Sequence, residues 1–186
     1  MYIKNEDPLL DKILKVLKKK GIIIMPCDTI YGFLGIAPET RKKIQELKGR
    51  DDSKPFLILI LKEWISQFTS LKIDKYFLDQ WPGPLTIIVP DQNNSTIALR
   101  VPDDSRLLKL LYKLNQPLFS TSVNHRGNPA LNKSSEIKTL FGKNIDLFVD
   151  EGDLLESISS TIIDLCTKPY RIIRQGACKI DPEKLV

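Results

Sequence analysis

Gly21-Ile22-Ile23-Ile24-Met25-Pro26-Cys27-Asp28-Thr29-Ile30-Tyr31-Gly32 is the stretch on which the fold turns. Gly21 to Met25 is a continuous apolar run without polar alternation, the pattern of a strand covered on both faces. The chain then places an acid, a hydroxyl and an aromatic ahead of a glycine. In an open α/β sheet, ligands bind outside the carboxyl ends of strands. Asp28-Thr29 is therefore a candidate binding turn, and equally a turn closed by a capping side chain.

Upstream, Asp7-Pro8 combines a capping carboxylate with a proline suited to the first helical turn. Leu9, Leu10, Ile13, Leu14 and Leu17 then repeat at helical spacing up to Gly21. Downstream, after a loop, Pro38 to Leu47 reads as a second helix with Ile44 and Leu47 inward, and Phe56–Leu61 as another fully apolar strand. Lys62–Phe68 and Ile73–Trp81 read as helical, and Trp81-Pro82-Gly83-Pro84 breaks the chain. Leu85–Val89 and Thr96–Val101 predict an antiparallel hairpin. A helix capped by Asp104 or Ser105 runs to Leu114, strand Pro117–Thr121 comes next, and a helix spans about Ser134 to Phe141. Strands Ile145–Val149, Thr161–Leu165 and Arg171–Ile173 finish the chain. This alternation predicts an α/β protein with a twisted, mixed parallel and antiparallel open sheet flanked by helices.

The 186 residues, 42% hydrophobic and 27% charged, fit an ordinary globular chain of one domain. No apolar run approaches the roughly 18 residues of a membrane span, and the start lacks a signal-peptide core, so a cytoplasmic location is expected, with no membrane partner. The three cysteines, Cys27, Cys166 and Cys178, form no CxxC pair, and His125 is the single histidine. Reduced thiols are expected, without a structural zinc site or a disulfide framework. The net charge of +5 favours anionic partners such as nucleotides or RNA, and equally suits a solvated surface.

Neither GxxxxGK[ST] nor GxGxxG occurs. Gly32-Phe33-Leu34-Gly35 is only a GxxG and carries little information. Ser122 and His125 lie three apart without a nucleophile-elbow motif, so no catalytic triad is read from them. Two polar clusters carry more. Lys48-Gly49-Arg50 ends the second helix, and Ser122-Val123-Asn124 ends the strand Pro117–Thr121. Cations at a helix C-terminus complement its dipole. Their i, i+2 spacing does not keep both on one helical face, and suits an extended exit turned toward one cleft. Whether the two clusters converge decides what they do.

Seven segments taken in order resemble the YrdC/TsaC family, the threonylcarbamoyl-adenylate synthases of tRNA modification. They are Pro26-Cys27-Asp28-Thr29-Ile30-Tyr31-Gly32, Lys48-x-Arg50, Trp81-Pro82-Gly83-Pro84-Leu85-Thr86, Ala98-Leu99-Arg100-Val101-Pro102, Ser120-Thr121-Ser122-Val123-Asn124, Ser160-Thr161-Ile162-Ile163-Asp164-Leu165 and Arg174-Gln175-Gly176. The resemblance implies a single YrdC-like domain over 1–186 with a concave basic cleft, of the short form without an extra C-terminal domain. It implies a reaction of L-threonine, bicarbonate and ATP to threonylcarbamoyl-AMP and pyrophosphate. ATP is a substrate with Mg²⁺ beside it, and no protein metal ligand is assigned. The implied partners are tRNA and a downstream tRNA threonylcarbamoyl-transferase complex. Carried over residue by residue, Lys48, Arg50, Ser122 and Asn124 form the catalytic set. Arg50, Lys54, Thr96, Ser122 and Arg174 face ATP, and Thr29, Tyr31, Arg100, Ser120 and Ser160 face threonine.

The chain departs from the family pattern at Cys27, usually Thr, and at Lys54, often Asn. Leu59 replaces a His that many members carry, and Arg126 and Ala130 replace two small hydroxyl residues. The alternative reading is a non-catalytic tRNA- or double-stranded-RNA-binding module using the same basic hollow. Such a module interleaves exposed aromatics with a cationic stripe, whereas Trp81, Tyr112 and Phe119 read as core or turn residues. A third reading, a relative without synthase activity, is disfavoured by the intact Lys48-x-Arg50 and Ser122-x-Asn124.

Overall fold

The computed structural model describes residues 7–49, 55–93 and 95–186. In chain order the elements are α1 (Pro8–Lys18), β1 (Ile23–Pro26), β2 (Tyr31–Ile36), α2 (Arg41–Lys48), β3 (Leu57–Leu59), α3 (Ile65–Phe68), α4 (Lys75–Leu78), β4 (Leu85–Pro90), β5 (Thr96–Arg100), α5 (Ser105–Leu114), β6 (Leu118–Ser122), α6 (Ser134–Phe141), β7 (Leu147–Phe148), β8 (Thr161–Asp164) and β9 (Arg171–Arg174). Among the described residues the strands make one sheet in the order β7-β1-β2-β6-β3-β5-β4-β8-β9. Its β1–β7, β3–β5 and β4–β8 pairs are parallel and the others antiparallel, so the sheet is mixed, as the sequence predicts.

The capping signals hold. Asp7 accepts from Leu10 N at 3.0 Å to open α1, and Asp104, not Ser105, accepts from Leu107 N at 2.8 Å to open α5. The second helix begins later than Pro38, at Arg41; Ile44 is buried, Leu47 packs half-buried against the same core as expected, and Lys48 is buried as well. The helices expected over Lys62–Phe68 and Ile73–Trp81 shorten to a 3-10 turn followed by α3, and to α4. Tyr112 is exposed, contrary to expectation, because Leu107, Leu110 and Leu111 occupy the inward face of α5.

β2 is the largest difference. The segment read as a loop with an uninformative GxxG is a wholly buried strand, hairpin-paired to β1 and flanked by β6. Its glycines weaken the strand signal, and packing requires one of them. A Cβ on Gly35 would fall on Thr40 Oγ1 and lie 2.8 Å from Ile22 Cδ1.

Cross-strand partners share a face, so the register sorts the sheet into two sides. Phe119, Ile58, Leu99, Ile87 and Ile163 form one row across it. That face is covered on one half by Ile44 of α2 and Ile137 and Phe141 of α6, and on the other by Phe77 of α4 with flanking α3 residues. The opposite face carries the row Leu34, Ser120, Leu57, Ala98, Ile88 and Asp164. There α1 and α5 pack on Met25, Leu34, Ile36, Leu59 and Leu118. Leu59, a departure from the family pattern, thus belongs to the hydrophobic core. Past these helices the same face carries Ser120, Thr86 and Arg100 together with Ile88, Ala98 and Ile162, and these last three join none of the three cores among the described residues.

Gly35→Ala tests the β2 packing. Replacing glycine by alanine ordinarily stabilises by about 0.4–1 kcal/mol through the unfolded chain. Here overpacking of about 1–3 kcal/mol opposes that gain. Urea denaturation is expected to show a net loss of stability, and a variant as stable as the parent would refute this account of the strand.

Candidate active site

Lys48 comes into the site from the covered face. It is the last residue of α2, one turn after the buried Ile44, and Gly49 at φ 58° stops the helix in the left-handed region that glycine favours. The side chain is 4% exposed and passes over the Phe33 ring, 5.6 Å from its centroid. Its Nζ donates to Ser122 O and to Asn124 Oδ1, both at 2.5 Å. The two clusters therefore converge. They do so through a helical Lys48 rather than an extended exit.

This knot is closed from within. Ser122 Oγ donates to Asn124 Oδ1 at 2.8 Å, and Asn124 Nδ2 donates to Asn128 O at 2.6 Å. Arg126 N donates to Lys48 O at 2.8 Å, which fastens the following loop to the end of α2. A carboxamide with both ends engaged has one orientation, so the ammonium is held in place before any ligand arrives.

The second group lies where α1 and α5 do not reach and the β1–β2 turn packs on β5 instead. Arg100, 2% exposed, pairs through Nη2 with Asp28 Oδ1 at 2.8 Å, and its Nη1 donates to Thr29 Oγ1 at 3.3 Å. Burial raises the Asp28 carboxyl above the usual carboxylate range, against the opposing pull of Arg100 and of the Asp103 N–H. Ser160 Oγ and Thr86 Oγ1 share a hydrogen bond at 2.9 Å. Arg174 donates from Nη2 to Ser160 O at 2.8 Å and to Ser160 Oγ at 3.2 Å. Burial lowers the Arg174 pKa, and the neighbouring Arg100 lowers it further. Cys27 borders Ser120 and Gly32, and burial pushes its thiol up to about 12.

Lys48, Ser122 and Asn124 are thus brought together, as are Arg100 with Thr29 and Ser160 with Arg174. Two residues stand apart. Thr96 is exposed at the opposite end of β5, four residues or about 13 Å from Arg100. Tyr31 is fully buried against Phe148; its hydroxyl donates to Gly152 O at 2.7 Å and accepts from Glu151 N at 3.0 Å. It falls on the covered face with Phe33, two residues along the strand. Arg50 and Lys54 lie outside the described residues. Sequence reasoning flagged Asp28 only as part of a candidate binding turn, without its ion pair to Arg100, and missed Thr86 and Asn128. The first two stand inside family motifs; Asn128 acts through its backbone carbonyl, which leaves no side-chain signature.

A mixed sheet with part of one face free of helices, a buried lysine knotted to a strand end and a buried arginine paired to the β1–β2 turn define a class of α/β domains. Residues 15–176 match the Sua5/YciO/YrdC family profile, described as "Telomere recombination", and the chain belongs to that family. It is 27% identical to the threonylcarbamoyl-AMP synthase of Bacillus subtilis, over 94% of this chain and 55% of the relative. Among solved structures, Pyrococcus abyssi Sua5 complexed with L-threonine superposes with TM-score 0.82 at 24% identity, covering 92% of this chain and 55% of that one. Escherichia coli YciO superposes with TM-score 0.82 at 23% identity, covering 95% and 93%. The chain spans about half the length of the first two curated relatives it matches.

The cysteines offer a check on the electrostatics. Burial raises all three thiols, Cys27 and Cys166 to about 12. Since the thiolate is the reactive form, native protein at pH 7.5 is expected to react slowly with an aromatic disulfide reagent. Denatured protein is expected to titrate all three thiols rapidly. A fast stoichiometric phase in the native protein would contradict the raised thiols, which follow from burial and, at Cys166, also from the neighbouring Asp164.

Proposed function

We propose that this chain, acting as one YrdC-like domain, is a threonylcarbamoyl-AMP synthase. The reaction takes L-threonine, bicarbonate and ATP to threonylcarbamoyl-AMP, pyrophosphate and water. The threonine amine and bicarbonate give an N-carboxylate. One of its oxygens then bonds to the α-phosphorus of ATP as the bond to the bridging oxygen breaks and pyrophosphate leaves. No protein nucleophile takes part, so the protein's work is to hold anions and balance charge.

The observation that carries the reading is the buried Lys48 ammonium fixed at Ser122 and Asn124. A pre-oriented cation of this kind stabilises negative charge on a phosphorane without reorganising during the reaction. Family membership and the named activity of the relatives support the same assignment. In this reading Lys48, Arg50, Ser122 and Asn124 are the catalytic set. Arg50, Lys54, Thr96, Ser122 and Arg174 contact ATP. Thr29, Arg100, Ser120 and Ser160 contact threonine, and Tyr31 acts through the segment its hydroxyl holds. Among the described residues no three His, Cys, Asp or Glu side chains gather as a metal site. Mg²⁺ would accordingly be carried on the nucleotide phosphates.

The product would serve N6-threonylcarbamoyladenosine formation in tRNA, handed to a transferase complex in the cytoplasm. Among the described residues no helix is long and apolar enough to cross a membrane. The RNA-binding alternative finds less support, since Trp81 and Phe119 are buried and only Tyr112 of the three aromatics is exposed.

Pyrophosphate release from ATP is expected to depend on both threonine and bicarbonate. Release that ignores threonine would overturn the assignment. Lys48→Ala and Arg50→Ala are each expected to lower the rate by about 100-fold or more while circular dichroism stays unchanged. Near-parental rates in both would remove them from the catalytic set. Arg100→Lys is expected to raise the threonine KM by roughly 10-fold and leave the ATP KM within about twofold, because a lysine loses the planar fork. The reverse pattern would reassign Arg100 to the nucleotide.

A further inference from the structure

Arg100 is a full guanidinium on the face of a sheet, and a buried cation needs both a counter-charge and acceptors for its N–H groups. Asp28 Oδ1 takes Nη2 and Thr29 Oγ1 takes Nη1. Arg100 Nε, also buried, has no acceptor among the described residues. An orphaned buried donor is rare and calls for an explanation. The Asp28 carboxylate is 5% exposed and is itself fixed at both oxygens, since Oδ2 accepts from Asp103 N at 3.1 Å. One carboxylate therefore bridges the β1–β2 turn, the β5 side chain and the β5–α5 connection.

We propose that Asp28 is a positioning residue: it fixes the Arg100 fork so that Nε–H is kept for the carboxylate of the amino-acid substrate. This rests on the reading of Arg100 as the threonine carboxylate contact. The charges are consistent with it. Arg100, with Arg174 beside it, faces the negative charges of Asp28 and, farther off, Asp104, so Asp28 is the carboxylate that directly pairs the fork and sets its direction. Without Asp28 the fork would keep only the longer Thr29 contact, and the site would hold its charge with less fixed direction. Asp28 does not touch the reacting atoms. Its effect should appear in amino-acid affinity and not in nucleotide affinity.

Calorimetric titration of L-threonine and, separately, of ATP into the wild type, Asp28→Asn, Arg100→Lys and the double variant tests this. Wild-type threonine binding is measured first, and its absence would overturn the synthase reading and this inference together. With binding established, Asp28→Asn is expected to weaken threonine about 10-fold and to leave ATP within about twofold. The double variant is expected to bind threonine no more weakly than the weaker single, because Asp28 acts through Arg100. Two results would overturn the inference alone: threonine affinity within twofold of wild type in a folded Asp28→Asn, or losses that multiply in the double variant. An equal loss for ATP and threonine would reduce Asp28 to a general structural staple. Should Asp28→Asn fail to fold, Asp28→Glu keeps the charge and shifts the carboxylate. Weaker threonine with unchanged ATP binding is expected there, and unchanged threonine binding would refute the proposal.

Discussion

A strand residue facing out of a sheet must be covered by another element, be polar, or be small enough to cost little. α1 and α5 reach only part of their face, and that limit shapes the rest of the molecule. Where they pack, the sheet carries Met25, Leu34, Ile36, Leu59 and Leu118. Where they stop, the same rows continue as Ser120, Ala98, Arg100 and Thr86. The chemistry derives from this boundary. Beyond the helices this strip of sheet stays buried, with the β1–β2 turn packed on Arg100, and side chains anchored in strands hold position better than side chains on loops.

The two cations reach this strip by different routes. Lys48 travels from the covered face along the stripe that begins at Ile44, so packing sets its direction and the carbonyl of Ser122 sets its end point. Arg100 rises from the strip itself and is balanced by Asp28. Each is buried, and removing one partner from a buried charge leaves an uncompensated group that destabilises strongly. The fold therefore holds both side chains oriented without substrate. That is the property a site requires when it polarises anions and supplies no nucleophile of its own.

Much of this was legible in the residues. The caps at Asp7 and Asp104, the helical stripe of α1, the hairpin of β4 and β5 and the bounds of α6 all come from local signals, which act within a few residues. β2 was hidden because Gly32 and Gly35 are chosen for what presses on the strand, and that pressure comes from Ile22, Cys27 and Thr40 only after folding. Sheet order was equally hidden, since no local signal puts β6 between β2 and β3. The motif carrying Asp28 was visible, but its ion pair spans 72 residues of chain and needs the β1–β2 turn to fold over β5. Tyr31 shows the opposite limit. It stands in the same motif as Thr29, yet it opens β2 and faces the covered side with Phe33, while Thr29 stays in the β1–β2 turn.

β6 joins the two halves of the site. Ser120 lies beside Cys27 and ends a row that reaches Ala98, one pleat from Arg100, while Ser122 sits in the Lys48 knot. The two serines are two residues apart on one face, roughly 7 Å along the strand. β6 is hydrogen-bonded on both sides, to β2 and β3, so this spacing is set by backbone geometry and not by side-chain rotamers. On the proposed reading, one serine stands with the amino acid and the other with the α-phosphate. The strand then acts as a fixed ruler between an N-carboxylate and the phosphorus it attacks. Orientation of that kind is worth about 7–11 kcal/mol of barrier when reacting atoms are held near contact. It needs neither a triad nor a covalent intermediate, which is why the missing Ser-His-Asp pattern is compatible with the proposed synthase reading.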